Sequence, residues 1–448
     1  MSTLVTGGDG CIGSQNRQKL RADFLATLLV VQIIVWIWVL VNSWYSKKSF
    51  DSSKVFFAVE DPTWWGQTKF RQVPLWGQHY FGDLQIFHGW VGGGNPYVLE
   101  LKPPIPPFGL TYYSLLNFRG PQVGLIIWLS LTFLFSVLIT YLWLKSETLS
   151  DKLTAYCALV LVNTSVLYGL DRGNILLILM TIVGLLFFKV LNSKRLTGFD
   201  AFLFASAISL KPYLLLLLLF FVIERKFRFT FFTTIFVLVC NFFATIIYNW
   251  NPIVVFQQMF IEQSKYSSSD SSDFSVIFST SAFRVLADSV QVVKGVDYMV
   301  ALFAGSNLLV ALPGILYLVL VTTVCLRRDI PIWIRMISIL STIQMVVAAT
   351  PRYNIAWTFI GGLLILQQPT VPSDGSEPRI SRREFVVAFG CGLGFLVGGL
   401  PIALSENLFP LVWIIVICLI FVIYVIPKRQ NISQDLLVNS KSKGMKFD

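Results

Sequence analysis

The chain has two histidines, and both fall in a single polar stretch, residues 44–119, with a carboxylate between them. The run reads Gly77-Gln-His79-Tyr-Phe-Gly-Asp83-Leu-Gln-Ile-Phe-His88-Gly-Trp90. A carboxylate beside imidazoles can take a proton from an attacking hydroxyl, provided it comes within hydrogen-bond reach. The same three side chains also suit a divalent ion such as zinc or manganese, because spacings of four and five put them on one face of a helix. Gly82 and Gly89 interrupt such a helix and no further ligand is near, so no metal and no other cofactor is expected. Glu60 and Asp61 form a second acidic pair in the stretch and are the replacement base if Asp83 is not used.

A second set of reactive groups is cationic and lies beside apolar runs: Arg172 in Asp171-Arg-Gly-Asn174, Lys211 in Leu210-Lys-Pro212, and Arg352 in Thr350-Pro-Arg-Tyr-Asn354. A charge at membrane depth costs roughly 2.5 kcal/mol or more, so such residues face a bundle interior or water and are functional suspects. Plainer readings exist beside this one. Asp171 can pair with Arg172, and Arg352 can sit at headgroup level.

The elements that hold these groups are apolar. Hydrophobic residues make up 55% of 448 and charged residues 13%, and the mean hydropathy is +0.69. Soluble domains carry about 25% charged residues, so the composition is that of an integral membrane protein. The six cysteines avoid the long polar loops, so neither a disulfide framework nor a thiolate metal site is indicated. The net charge of +11 comes in short clusters beside apolar runs, as topology produces, and does not point to nucleic acid. Apolar segments occupy residues 24–43, 123–144, 153–170, 174–191, 229–248, 300–325, 331–350, 355–367, 385–404 and 408–427.

Residues 199–223 also have the length of one span, but Lys211-Pro212 interrupts the middle. A single crossing there would put the basic cluster 224–228 on the opposite side from the other basic clusters. Two short helices meeting at Lys211-Pro212 keep all of them on one side, and broken helices of this kind are tolerated where they line a cavity. The expectation is therefore an all-α polytopic bundle of about 12 helical segments with a long first extracytoplasmic loop and both termini cytoplasmic. Its parts are a tail over 1–23, a module over 24–248 containing the outer loop 44–119, a second module over 249–427 with an outer loop over 249–299, and a tail over 428–448. The first loop, the 171–174 and 350–354 turns and Lys211-Pro212 then share one face.

These residues carry a family resemblance. Gly82-Asp83 followed by an apolar turn and Gly-Gly-Gly-Asn-Pro96-Tyr97, the Pro-Pro pairs in Lys102-Pro-Pro-Ile-Pro-Pro107, Arg172-Gly-Asn174 opening an apolar helix, and Leu210-Lys211-Pro212 about 40 residues later together resemble the GT-C membrane glycosyltransferases of family 87. The likeness spans roughly residues 24–248. It implies a GT-C-type fold and transfer of a single sugar, of the mannose or arabinofuranose class, from a polyprenyl-phosphate donor to a glycan or glycolipid acceptor. Anomeric configuration would be inverted on the extracytoplasmic face of a bacterial plasma (inner) membrane. Under that resemblance Asp83 is the general base. Lys211, Arg172 and Arg352 neutralise the departing phosphate, and the helix opening near Asn174 offers amide donors to it. Nothing in the resemblance fixes His79 or His88, which either orient Asp83, bind sugar, or are plain loop residues. Trp90 and Tyr97 are candidates to stack on sugar, as are Trp64, Trp65, Trp76 and Tyr80, although Trp and Tyr also gather at membrane interfaces for other reasons.

Two motifs are set aside. Gly8-Asp-Gly10-Cys-Ile-Gly13 matches a dinucleotide fingerprint, but it lacks the preceding strand and the βαβ unit, because the first apolar run starts near Phe24. Ser264–Asp273 is polar and of low complexity, and it reads equally as a lid or a linker. The alternative function is a transporter or flippase for a lipid-linked or anionic substrate, which also uses broken helices and buried cations. No inverted repeat relates the two halves, and the first outer loop is unusually long for a carrier. A polymerase or ligase using diphosphate-linked sugars is a third class, disfavoured because the 249–299 loop has Arg284 but no histidine.

Overall fold

The computed structural model describes residues 23, 25–34, 37, 95–98, 105–116, 121–145, 147–163, 166, 169–170, 174–267, 282–294, 307–346, 357–366, 382–398 and 402–426. Among them there is no strand. In chain order the helices are α1 (Leu25–Ile34), α2 (Pro107–Leu116), α3 (Pro121–Trp143), α4 (Leu149–Tyr156), α5 (Leu176–Leu191), α6 (Gly198–Leu210), α7 (Leu216–Ile223) and α8 (Phe227–Ile247). They continue with α9 (Pro252–Ser267), α10 (Ala282–Lys294), α11 (Asn307–Leu326), α12 (Ile332–Met345), α13 (Thr358–Leu366), α14 (Arg382–Gly398) and α15 (Ile402–Tyr424). Single 3-10 turns stand at Pro96–Val98 and Pro212–Leu215. Val123–Trp143, Phe227–Ile247 and Leu309–Leu326 are long and apolar enough to cross a membrane, and several others are shorter apolar helices. The expected count of about twelve segments and the long first loop rest partly on residues outside those described.

The surface is what makes this a lipid-facing bundle. Ile126, Leu134, Leu238, Phe243 and Leu316 are all more than half exposed, while Ser136, Ser209, Ser338, Ser341 and Thr342 are fully buried. Apolar residues outside and hydroxyls inside are the pattern that hydrocarbon solvent selects, since packing and interhelical hydrogen bonds, not water exclusion, join the helices. The buried hydroxyls mostly donate back to their own helix, as Ser338 does to the carbonyl of Ile334 at 2.8 Å.

One expected span is corrected. Residues 153–170 do not form a single helix: α4 passes into a π turn at Cys157–Leu161, closed by the Val162 N–H on the Cys157 carbonyl at 3.0 Å. The Asn163 side chain then accepts the N–H of Val166 at 3.2 Å, and this local bond competes with continuation of the helix.

Charged and aromatic contacts set the chain directions. Lys189 near the end of α5 pairs with Asp200 in the first turn of α6 at 2.6 Å, so these helices are antiparallel neighbours. Glu224, following α7, receives Arg328 at 2.9 Å and also the buried Arg335 of α12. Cys325 of α11 reaches the Arg335 carbonyl at 3.5 Å. Arg327 pairs with Asp329 in the same turn and holds that carboxyl below the usual carboxylate range. These groups define one end of the bundle, the ionic end. Trp357, Phe395, Phe409 and Trp413 pack together where α13, α14 and α15 meet, with ring centroids 5.1–6.2 Å apart.

The break at Lys211-Pro212 is a hairpin. Phe204 and Phe221, seventeen residues apart in sequence, lie with ring centroids at 5.6 Å. A continuous helix would separate them by about 25 Å. Phe187, Phe220 and Phe229 join the same cluster, at 5.2 Å for Phe187–Phe220 and 4.7 Å for Phe221–Phe229. Each such pair adds about 0.5–1.5 kcal/mol beyond its buried area. Both legs of the hairpin therefore return to the ionic end, as the basic-residue bookkeeping anticipates. Three helices end in Schellman turns with non-glycine residues at positive φ: Ser193 (53°), Arg225 (55°) and Asn249 (54°). Each is closed by a 6→1 bond, from Lys194 to Lys189, Lys226 to Phe221 and Trp250 to Thr245.

Candidate functional site

The far end of the bundle, opposite the ion pairs, is built around Lys211. Pro212 has no N–H to continue α6, and its ring disfavours a helical conformation for the residue before it. Lys211 accordingly adopts an extended backbone (φ −142°, ψ 92°), half-buried, with its N–H on the Ala207 carbonyl at 2.9 Å. Its carbonyl accepts the N–H of Leu214 at 3.0 Å, which starts the 3-10 turn of the return leg. The cation thus stands at the C-terminal end of α6, where the helix dipole favours positive charge.

Asn174 lies at the same end. It is buried, and its Oδ1 accepts the N–H of Leu176 at 3.0 Å, capping the opening turn of α5. Measured along the helices from the Lys189–Asp200 pair, Asn174 is about 22 Å and Lys211 about 16 Å up the bundle. The two groups therefore differ in depth by about 6 Å, the span of a helix turn.

Around the lysine turn runs a neutral hydrogen-bond relay. Asn241 of α8 is buried, and its Oδ1 accepts the N–H of Phe108 at 2.9 Å. Its Nδ2 donates to Ser209 Oγ at 2.9 Å and to the Val237 carbonyl at 2.6 Å. The Phe108 N–H is one of the orphan donors in the first turn of α2, so α8 caps α2 through a side chain. One position on, Gly109 packs directly on the last turn of α6, and a Cβ there would run into the Ser209 carbonyl. At that contact only glycine lets the two backbones approach this closely.

Beside the relay is an aromatic ledge. Tyr248 and Trp250 stack at 4.6 Å with planes 19° apart, and Tyr97 meets Trp250 edge-on at 5.7 Å. Ser114 of α2 and the Tyr248 hydroxyl are 3.3 Å apart. Tyr97 is fully buried and donates its hydroxyl to the Ile105 carbonyl at 2.6 Å, while its own N–H goes to Asn95 Oδ1 at 3.0 Å. Burial pushes its phenol well above the ordinary range, which keeps the hydroxyl a donor. In this arrangement Tyr97 braces the segment leading into α2.

Of the residues singled out in the sequence, Lys211, Asn174 and Tyr97 are thus described, the first two at one end of an antiparallel helix pair. Asp83, His79, His88, Trp90, Arg172 and Arg352 lie outside the described residues, as do Glu60 and Asp61. Among the described residues no group of three His, Cys, Asp or Glu could hold a metal ion. Sequence reasoning missed Asn241, Ser209 and Gly109. The available signal was Asn241 itself, the one amide in α8 and in need of a partner inside a membrane.

A family model described as glycosyltransferase family 87 matches residues 105–351, more than half of the chain. The matched stretch contains Gly109, Asn174, Ser209, Lys211 and Asn241 and continues well past residue 248. Asp83 and Tyr97 precede it, and Arg352 follows it by one residue. No curated protein and no solved structure matches the chain.

Proposed function

The chain belongs to glycosyltransferase family 87, and from that premise we propose that it moves one sugar from a polyprenyl-phosphate donor to a hydroxyl of a glycan or glycolipid. The acceptor oxygen attacks the anomeric carbon from the face opposite the phosphate. The carbon–oxygen bond to phosphate breaks, and its electron pair leaves with the polyprenyl phosphate. Configuration is inverted, and Asp83 takes the acceptor proton. Lys211, with Arg172 and Arg352, offsets the charge that grows on the phosphate, which is the point at which preorganised cations lower a barrier most. The opening turn of α5 beside Asn174 is the positive end of that helix's dipole and favours the same anion. Cationic stabilisation of this kind needs no divalent metal. The sugar is of the mannose or arabinofuranose class, with His79, His88 and Trp90 as contacts around Asp83. The reaction belongs at the far end of the bundle, the extracytoplasmic face when the basic end is cytoplasmic.

The observation that carries this reading is the lysine turn. A cation on a broken helix, level to within a turn with the start of α5, lies inside the stretch shared with a glycosyltransferase family. The test is transfer from a panel of radiolabelled polyprenyl-phosphate sugars to membrane lipid extract by the purified protein and by Asp83→Asn. Transfer by the unaltered protein alone, with Asp83→Asn still folded and binding donor, is the expected result. Turnover surviving in Asp83→Asn would move the base to Glu60 or Asp61. No turnover by either across the panel would sink the transferase reading and favour movement of a lipid-linked or anionic substrate across the membrane.

A further inference from the structure

We propose that Asn241 is a positioning residue for the transfer reaction: it sets the turn that presents Lys211 against the first turn of α2. The inference rests on the transferase reading above. Its structural basis is that one buried amide side chain holds both parts at once. Through Oδ1 it holds Phe108 at 2.9 Å, where the 44–105 segment enters α2. Through Nδ2 it holds Ser209 at 2.9 Å, two residues before Lys211. The Nδ2 bond to the Val237 carbonyl at 2.6 Å fixes the amide to the frame of α8, so it cannot rotate to follow either neighbour.

The geometry around the amide leaves little slack. Gly109 sets the α2 backbone against the Ser209 carbonyl, so a shift in α2 displaces the last turn of α6. Tyr97 ties the stretch just upstream to Ile105 at 2.6 Å, and Ser114 lies 3.3 Å from Tyr248 on the other side. Gly109 gives α2 and the last turn of α6 a direct contact, and the Asn241 side chain is the hydrogen-bonded link, among those described, that joins α2, α8 and that turn together. The cation must meet the phosphate in register with the reacting atoms, and a misplacement of about 1 Å can cost about a hundredfold in rate. Leucine at 241 keeps the branched shape, with bulkier methyls, and removes all three bonds of the amide. Alanine at 209 removes only the acceptor on the lysine side.

The test compares Asn241→Leu and Ser209→Ala with the unaltered protein in the transfer assay, normalised to folded protein, together with hydrogen–deuterium exchange of the same samples. For Asn241→Leu the expected result is a kcat at least about tenfold lower with donor KM changed less than about threefold, because the cation itself is retained. Ser209→Ala should show the same split at smaller amplitude. Peptides covering 105–112 and 205–213 should exchange faster together in Asn241→Leu, while peptides from α3 and α12 keep their protection. An unchanged kcat, or a loss that follows the folded fraction, would overturn the proposal, since a merely structural amide predicts the second. Exchange that rises in 105–112 alone would overturn it as well. The exchange measurement needs no turnover. If the unaltered protein transfers nothing while the two peptides loosen together, the transferase reading fails and the positioning role fails with it, leaving the coupling as a property of the fold alone.

Discussion

The two ends of the helical hairpin are held by opposite chemistry. At the ionic end, Glu224 receives Arg328 and Arg335, and Lys189 meets Asp200. At the lysine turn the anchors are an amide, a hydroxyl, a backbone N–H and a glycine contact. Both ends must fix short helices against longer ones, yet the anchors described at the lysine end use no carboxylate. The turn that carries Lys211 is thus seated by neutral groups among those anchors.

Breaking the ionic end should have the largest effect on stability. Glu224→Ala leaves Arg335 buried without its carboxylate, and removing one partner of such a pair costs about 3–5 kcal/mol. The unfolding midpoint in detergent should fall accordingly, and adding Arg335→Met should recover much of it, because an apolar pair replaces a broken ionic one. At the other end Lys211→Met should do the reverse. Transfer should fall by about 10²–10³, the usual loss when a charge-stabilising group is removed, while the midpoint shifts little. A midpoint that collapsed in Lys211→Met would show that the lysine holds the hairpin, and the contrast between the ends would be lost.

Gly109→Ala should fall between these, costing about 1–3 kcal/mol by overpacking against the Ser209 backbone and reducing transfer at the same time. A stable Gly109→Ala with full activity would mean that α2 is not seated as described. The smallest change is expected from Arg328→Ala. Its side chain is 48% exposed, and pairs of that kind contribute about 0–1 kcal/mol. A loss as large as that in Glu224→Ala would make Arg328, not Arg335, the principal partner of the carboxylate.

The legibility of this chain followed the same division. The hairpin could be read because it is a local matter of Lys211-Pro212 combined with the placement of basic clusters, and the Phe204–Phe221 contact bears it out. Helix bounds such as Pro121–Trp143 and Phe227–Ile247 came within two residues of the apolar runs, since hydrocarbon thickness and composition set them. The interruption after Tyr156 was missed because residues 153–170 are apolar enough for a span, whereas the competing bond from Asn163 to Val166 depends on local geometry. The relay was missed for a different reason. Asn241, Ser209 and Phe108 are 32 and 133 residues apart in their bonds, and nothing in hydropathy says which helices meet. The lysine was conspicuous by its charge, whereas its neutral supports resembled ordinary core residues.

The hairpin also bears on how the chain enters a membrane during synthesis. Leg α6 has 13 residues, and the return leg from Pro212 to Ile223 has 12. At 1.5 Å per helical residue each covers roughly 18–20 Å of a hydrocarbon layer about 30 Å thick. Neither leg is a complete insertion signal, and between them they carry a cation about two-thirds of the way across. We expect a nascent chain ending shortly after Leu210 to leave this segment outside the lipid, and insertion to proceed only once the phenylalanines of the second leg have emerged to cover the first. Protease protection of stalled chains of increasing length would show the step, and early protection of α6 alone would contradict it.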